Sequence, residues 1–208
     1  PDRRKELFLV TKDHPKSSAQ LPEMVDKRLK ACGTDYIDLL FIHGIGPNEY
    51  GKESLEWPES AEWKKVAEQL KRSGKIRNFG FTCHDSQLAR YLQAAAEGGF
   101  VDAIMFSYDP FLAPTDEANK AIDACHKAGI GLVAMKTMRA HSQVPARLPE
   151  LDKLGLTTRQ GLLQAVWSDE RMASLCSHIE NLQQMQENVT AARMFNGPLK
   201  TAHMDLLR

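Results

Sequence analysis

A lysine and an imidazole that face one cleft are an electrostatic arrangement for polarising a carbonyl or tuning a proton donor. Leu7-Phe8-Leu9-Val10-Thr11 runs into Lys12, and Tyr36-Ile37-Asp38-Leu39-Leu40-Phe41-Ile42 runs into His43. Each run is apolar enough for a buried parallel strand. Each polar residue falls where its strand would emerge, the end of an α/β barrel that carries active sites. Taken singly, both have plainer readings. A lysine past a strand is mostly a solvated loop residue, and a strand-end histidine often caps backbone groups. His14 reads as a loop residue and His84 as a candidate for the mouth.

The elements that must position this pair follow a repeating order. Four amphipathic stretches end in glycine and lead into a strand, at Gly33, Gly74, Gly99 and Gly129. Glycine past a helix C-terminus supplies the left-handed conformation that closes the helix. The expected strands are Leu7–Thr11, Ile37–Ile42, Ile76–Phe81, Ala103–Phe106, Gly131–Met135 and, more weakly, Ala173–Cys176. Helical stripes join Trp63, Val66, Ala67 and Leu70; Leu88, Tyr91, Leu92 and Ala95; and Ala118, Ala121, Ile122 and Cys125. Two more join Leu162, Leu163 and Val166, and Leu182, Met185, Val189 and Ala192. All five are expected to face a core. Helix starts are marked by Pro22, Pro58-Glu59, Asp85 and Pro114-Thr115-Asp116. Strand-then-helix alternation means a parallel sheet with right-handed crossovers. Six β-α units are present where a closed barrel needs eight. An open doubly wound sheet would carry a glycine-rich turn after its first strand, but Thr11-Lys12-Asp13-His14-Pro15 has no glycine. The expected fold is α/β, a (β/α)8 barrel of the TIM type that is incomplete, with residues 1–208 as one domain.

The 208 residues hold 27 Lys plus Arg and 27 Asp plus Glu, so the formal net charge is zero. That argues against a nucleic-acid or membrane-surface partner. No apolar run approaches the roughly 20 residues of a membrane span. The start, Pro1-Asp2-Arg3-Arg4-Lys5, is not a signal peptide and has no initiator methionine, which reads as a trimmed chain. Cys32, Cys83, Cys125 and Cys176 are scattered without a CxxC, the pattern of free thiols in a reducing compartment such as the cytoplasm, and no metal site is expected.

Val10-Thr11-Lys12 is followed by Arg28-Leu29, then Gly33-Thr34-Asp35-Tyr36-Ile37-Asp38-Leu39, Ile42-His43 and Gly74-Lys75-Ile76-Arg77-Asn78-Phe79-Gly80-Phe81-Thr82. Ala128-Gly129-Ile130-Gly131-Leu132-Val133-Ala134-Met135 and Gln186-Glu187-Asn188 come later in the same order. This series resembles the aldo-keto reductases over nearly the whole chain. It is closest in flavour to the branch whose members often carry a C-terminal iron–sulfur segment, although that segment's cysteine cluster is absent from these residues. The resemblance implies a barrel that reduces aldehydes or ketones to alcohols with NADP(H), with NAD(H) as the alternative. It also implies that units 3 to 8 are present and the first two absent.

Of the family's Asp, Tyr, Lys and His tetrad, the resemblance gives Lys12 as the lysine that lowers the tyrosine's pKa and His43 as the histidine that orients the carbonyl. None of Tyr36, Tyr50, Tyr91 and Tyr108 stands at the tyrosine position. Thr82-Cys83 occupy the Ser-Asn positions against the nicotinamide carboxamide. Met105 replaces a glutamine, and Met135 replaces a ring-stacking tyrosine, with an ordinary core role as its other reading. Lys136 reads equally as a pyrophosphate ligand or a solvated side chain. Glu187 and Asn188 match the adenine-contacting pair, while His178 and Gln184 replace the basic residues that grip the 2′-phosphate. Preference for NADPH is therefore expected to be weakened. The resemblance makes the partner a small-molecule carbonyl, with specificity set by the Gly44–Trp57 loop and residues 139–157. Two classes stand: an oxidoreductase inactive in this form for want of its tyrosine, and a non-catalytic cofactor-binding or structural relative. Open edges at the first and sixth strands are expected to leave the chain poorly soluble, self-associating or paired with the missing segment.

Overall fold

The computed structural model describes residues 3–111, 115–137 and 144–208. Pro114, one of the expected helix-start markers, and the part of the 139–157 segment up to 143 lie outside these residues. In chain order the elements are β1 (Val10–Asp13), α1 (Leu21–Cys32), β2 (Ile37–Ile45), α2 (Pro47–Tyr50), a 3-10 turn (Lys52–Glu59), α3 (Ala61–Arg72), β3 (Ile76–Cys83) and α4 (Leu88–Gly98). They continue with β4 (Ala103–Ser107), α5 (Asp116–Lys127), β5 (Gly131–Met135), α6 (Pro149–Asp152), α7 (Thr158–Trp167), β6 (Met172–Cys176), α8 (Leu182–Met194) and α9 (Thr201–Leu207). The strands run in chain order across the sheet, and β1 with β2, β2 with β3, and β5 with β6 pair in parallel. The chain divides into two compact units, Pro1–Met105 with Thr115–Gly131, and Phe106–Pro114 with Leu132–Arg208.

In the first unit β2 is the central strand. Ile37 to Ile42 are buried without a break, as a strand covered on both faces requires. Trp63, Ala67 and Leu70 of α3, Tyr91, Leu92 and Ala95 of α4, and Ala121, Ile122 and Cys125 of α5 are buried at the spacing the stripes indicate. Each large side chain so covered is worth about 1.5–3 kcal/mol of transfer free energy. The four junction glycines all have positive φ, between 60° at Gly33 and 76° at Gly74, so each ends its helix in the conformation glycine alone adopts cheaply. Gly80 serves close approach instead, since a Cβ there would lie 1.9 Å from the Ala103 carbonyl oxygen.

The first strand departs from expectation. It begins at Val10, and Leu7 and Phe8 are 58% and 65% exposed. β1 is the outermost strand and has a partner only on the β2 side. The segment before it is held by the Leu9 carbonyl, which accepts from the Asp38 and Leu39 N–H groups, and by side chains. The Arg4 guanidinium donates to the Leu7 carbonyl at 3.0 Å, and the Leu9 N–H donates to Asp38 Oδ2 at 2.9 Å.

The second unit is built on α7, buried from Thr158 to Val166 except at Arg159. Leu162 and Ala165 join Phe111, Leu151, Leu156 and Leu207 in its core. Thr157 starts α7 with a reciprocal cap. Its hydroxyl accepts from the Gln160 N–H, and the Gln160 side chain accepts from the Thr157 N–H, which satisfies two otherwise orphaned donors. The weak sixth strand is present, from Met172. The stripe on α8 does not face a core. Leu182, Met185 and Val189 are 62%, 44% and 42% exposed, Ala192 is exposed too, and the residue α8 buries is Ala191. Gln164 donates to the Ala191 carbonyl at 3.0 Å, so α8 meets α7 through its small side.

Candidate active site

The parallel register sets Lys12 opposite Phe41 and Asp13 opposite Ile42. Lys12 and His43 therefore emerge at the same, C-terminal, end of adjacent strands. Both strands run further than their apolar runs, so each residue lies inside its strand. The β2–β3 register shifts between Ile42 and Ile45. Gly44, with φ of 69°, sits in this bulge, and its N–H donates to Thr82 Oγ1 at 2.8 Å. A bulge re-aims the side chains beside it, and here it lies directly after His43.

His43 is half-buried. Burial, followed by the nearby charges of Lys12, His14 and His84, holds its imidazole below the ordinary pKa, with Glu49 opposing. His43 Nδ1 lies 2.6 Å from His14 Nε2, and the rings meet edge to face with centroids 4.5 Å apart. Tyr50 is buried at the end of α2. Its hydroxyl donates to the His43 carbonyl at 2.7 Å and lies 3.1 Å from His14 Nδ1. Burial pushes the Tyr50 phenol up to about 12. Lys16 and Glu49 edge the cluster, 3.7 Å apart, with Lys16 over the Tyr50 ring. Among the described residues no group of His, Cys, Asp and Glu is arranged to hold a metal ion.

Of the other residues assigned from the sequence, Thr82 and Cys83 end β3 and are both buried. Thr82 has accepted the Gly44 N–H and keeps its own O–H to donate. Burial raises the Cys83 thiol to about 11, so it stays protonated at neutral pH. Met105 on β4 is half-buried against Leu39, Phe41 and Ala103.

Within the second unit, Met135 and Lys136 line a cavity of about 780 Å³ together with Thr137, Arg159, Cys176, Ser177, His178 and Ile179. Lys136 is held at a φ of 59°, unusual for a residue with a side chain. Among the described residues that line this cavity, Lys136, Arg159 and His178 supply basic groups and none supplies a carboxylate, which is the chemistry of a phosphate site. Glu187 and Asn188 lie on α8. Thr157 Oγ1 donates to Glu187 Oε1 at 2.6 Å, tying α8 to the start of α7. Asn188 Oδ1 is a buried acceptor with no hydrogen-bond partner among the described residues. The Gln184 side chain accepts from the Glu180 N–H at 2.8 Å, so its carbonyl is engaged in the start of α8.

The family sequence model of the aldo/keto reductases matches residues 1–196. The chain belongs to the aldo/keto reductase family. An NADPH-dependent alpha-keto amide reductase of Saccharomyces cerevisiae is 38% identical over 117 residues, a stretch of 52% of this chain and 34% of that enzyme. Among solved structures, the chain resembles the holo form of an aldo-keto reductase from Bacillus halodurans, with a TM-score of 0.70, 22% identity and coverage of 99% of this chain and 74% of the other. An aldo/keto reductase from Klebsiella pneumoniae, in complex with NADP and acetate, gives a TM-score of 0.72 at 19% identity, covering 98% and 70%. These likenesses carry the fold. The aligned stretch spans about a third of the yeast enzyme.

Sequence reasoning missed His14, Tyr50 and Arg159. His14 and Tyr50 lie 29 and 7 positions from His43; the β1–β2 register, which sets Asp13 opposite Ile42, brings His14 to it, and α2 brings Tyr50. Arg159 carried a faint signal, since Thr157-x-x-Gln160 is a capping-box pattern that puts residue 159 in the first turn of a helix.

Proposed function

We propose that this chain is the larger part of an NAD(P)H-dependent oxidoreductase that reduces aldehydes or ketones to alcohols on a (β/α)8 barrel, of which it supplies units 3 to 8 as a single domain. The observation that carries the reading is the emergence of Lys12 and His43 at one end of adjacent parallel strands in a chain of this family. Lys12 would stabilise a phenolate and so bring down the pKa of a proton-donating tyrosine. His43 would orient the carbonyl oxygen. Lys136, Arg159 and His178 fit the phosphates of the cofactor, the buried Asn188 oxygen fits an amine donor such as that of adenine, and Met135 lies in the same cavity wall as Lys136. NADPH is the form bound by the yeast relative, by its name. When bound, the cofactor would supply a hydride.

None of the four tyrosines offers the required proton. Tyr50 donates to a backbone carbonyl and its phenol is raised to about 12. Tyr108 donates to Asp169, and burial raises its pKa further. Tyr91 is buried with Ser54 as its partner, and Tyr36 lies between the Arg4 and Arg77 guanidinia. We therefore expect the 208 residues alone to bind cofactor with little turnover. The same observation favours a second reading, a cofactor-binding relative without catalysis. The four free cysteines fit a reducing compartment, and we place the protein in the cytoplasm. No described helix is long and apolar enough to cross a membrane.

The test follows cofactor oxidation by absorbance with a nitrobenzaldehyde, on the 208 residues and on a form extended by a tyrosine-bearing segment. Turnover is expected only in the extended form, and Lys12→Met or His43→Ala should each remove most of it. Turnover by the 208 residues that Lys12→Met leaves untouched would place the chemistry elsewhere.

A further inference from the structure

Resting on the reading of His43 as the imidazole that faces the carbonyl, we infer that His14 is a positioning residue: backed by Tyr50 and Glu49, it fixes His43 in the tautomer with its proton on Nδ1 and a bare lone pair on Nε2.

The direction of the Tyr50 hydroxyl is fixed by its partner, since a carbonyl oxygen only accepts. Tyr50 donates its hydrogen to the His43 carbonyl at 2.7 Å. With that hydrogen committed, Tyr50 Oη can meet His14 Nδ1, 3.1 Å away, only as an acceptor. His14 Nδ1 must then carry a hydrogen. Glu49 Oε1, 3.6 Å from the same nitrogen, is a carboxylate oxygen that only accepts, and it favours the same assignment. Neutral His14 therefore presents a lone pair at Nε2. His43 Nδ1 lies 2.6 Å from it and has to be the donor. A neutral His43 has no second hydrogen, so its Nε2 is bare.

The consequence is a site that works differently with and without one extra proton. In the neutral state His43 Nε2 accepts a hydrogen bond, as from an alcohol. With one proton added to the His14–His43 pair, Nε2–H becomes a donor, as to a carbonyl oxygen. The groups around the pair are Lys12 from β1, Asp13 and Lys16 at and beyond its end, Glu49 and Tyr50 from α2, and His84 beyond β3. Burial and the charges of Lys12, His14 and His84 oppose a proton added to His43, and Glu49 favours it.

The test is long-range 1H–15N correlation on the 15N-labelled 208-residue chain at pH 8, which separates the two histidine tautomers and needs neither substrate nor turnover. His43 and His14 are both expected with hydrogen on Nδ1. In His14→Ala, His43 should move toward the Nε2–H form, and its titration midpoint should rise toward the ordinary imidazole value. Tyr50→Phe should release the tautomer of His14. A wild-type His43 protonated on Nε2 overturns the inference, as does a His43 signal unchanged by His14→Ala. The wild-type spectrum decides by itself if a variant does not fold. Loss of carbonyl reduction in an extended form bearing His43→Ala tests the underlying reading separately, because the tautomer is read without turnover.

Discussion

A buried carboxylate stays charged only where every lone pair has a partner, and Asp38, 2% exposed, is such a residue. Its Oδ2 accepts from Arg4 at 2.8 Å and from the Leu9 N–H at 2.9 Å, and its Oδ1 accepts from Arg77 at 3.0 Å. Burial alone would raise its pKa. The Leu9 N–H and the two guanidinia outweigh burial and hold it below the ordinary carboxylate value. A depressed native pKa contributes stability above the unfolded value of about 4, and that stability is lost as pH falls through the native pKa. Wild-type protein should therefore weaken in urea unfolding as pH drops below about 4, and Asp38→Asn should flatten that limb. Asp38→Ala, which takes the one carboxylate from between Arg4 and Arg77, should cost about 3 kcal/mol at pH 7. An unchanged urea midpoint would show the network to be idle. Lys12 and His43 were legible in the sequence because each closes an apolar run. The partners of His43 were not, because strand pairing brings in His14 and α2 brings in Tyr50.

Among the elements, strands and junction glycines were the most legible, since backbone conformation dictates the residue at a left-handed helix end. Exposure was not. An apolar run does not say whether a strand has one neighbour or two, and β1 has one. Nor does an apolar stripe say what covers it, and on α8 the packed residue is Ala191. The start of α7 bears on cofactor choice. The sequence suggested a phosphate grip reduced to His178 and Gln184. The fold adds Arg159 to the cavity that His178 lines and commits the Gln184 carbonyl to a local bond. If the cavity takes phosphate, Arg159→Gln removes a charge-assisted hydrogen bond worth about 1.5–3 kcal/mol. NADPH affinity should then fall at least about tenfold in a fluorescence titration. A smaller loss for NADH than for NADPH would place Arg159 at the 2′-phosphate, equal losses would place it at the pyrophosphate, and no loss would exclude this cavity.

For the molecule as a whole, the decisive balance is between apolar surface and charge. The first unit exposes Leu7, Phe8 and Val10 before and in β1, and the second exposes Ile179, Leu182, Met185 and Val189. Exposed apolar side chains of this size that gather into a patch mark interaction surfaces, and an outermost strand offers backbone groups for pairing beside the first set. The formal net charge is zero and the isoelectric point about 7.4, so near neutral pH little long-range repulsion keeps copies apart. We expect the 208 residues to self-associate, more at pH 7.4 than at pH 9. We also expect association to persist in 0.5 M salt, because burial of apolar surface is not screened as charge pairing is. Light scattering against concentration reads the effect. Leu182→Gln with Met185→Gln removes two apolar side chains one helical turn apart on α8 and should lower the apparent mass, while the same change on the opposite, charged side of α3, Glu62→Gln with Lys65→Gln, should not. A monomer at all concentrations would show that these faces are covered within one copy. Association abolished by salt would show that charge, not apolar surface, holds the copies together.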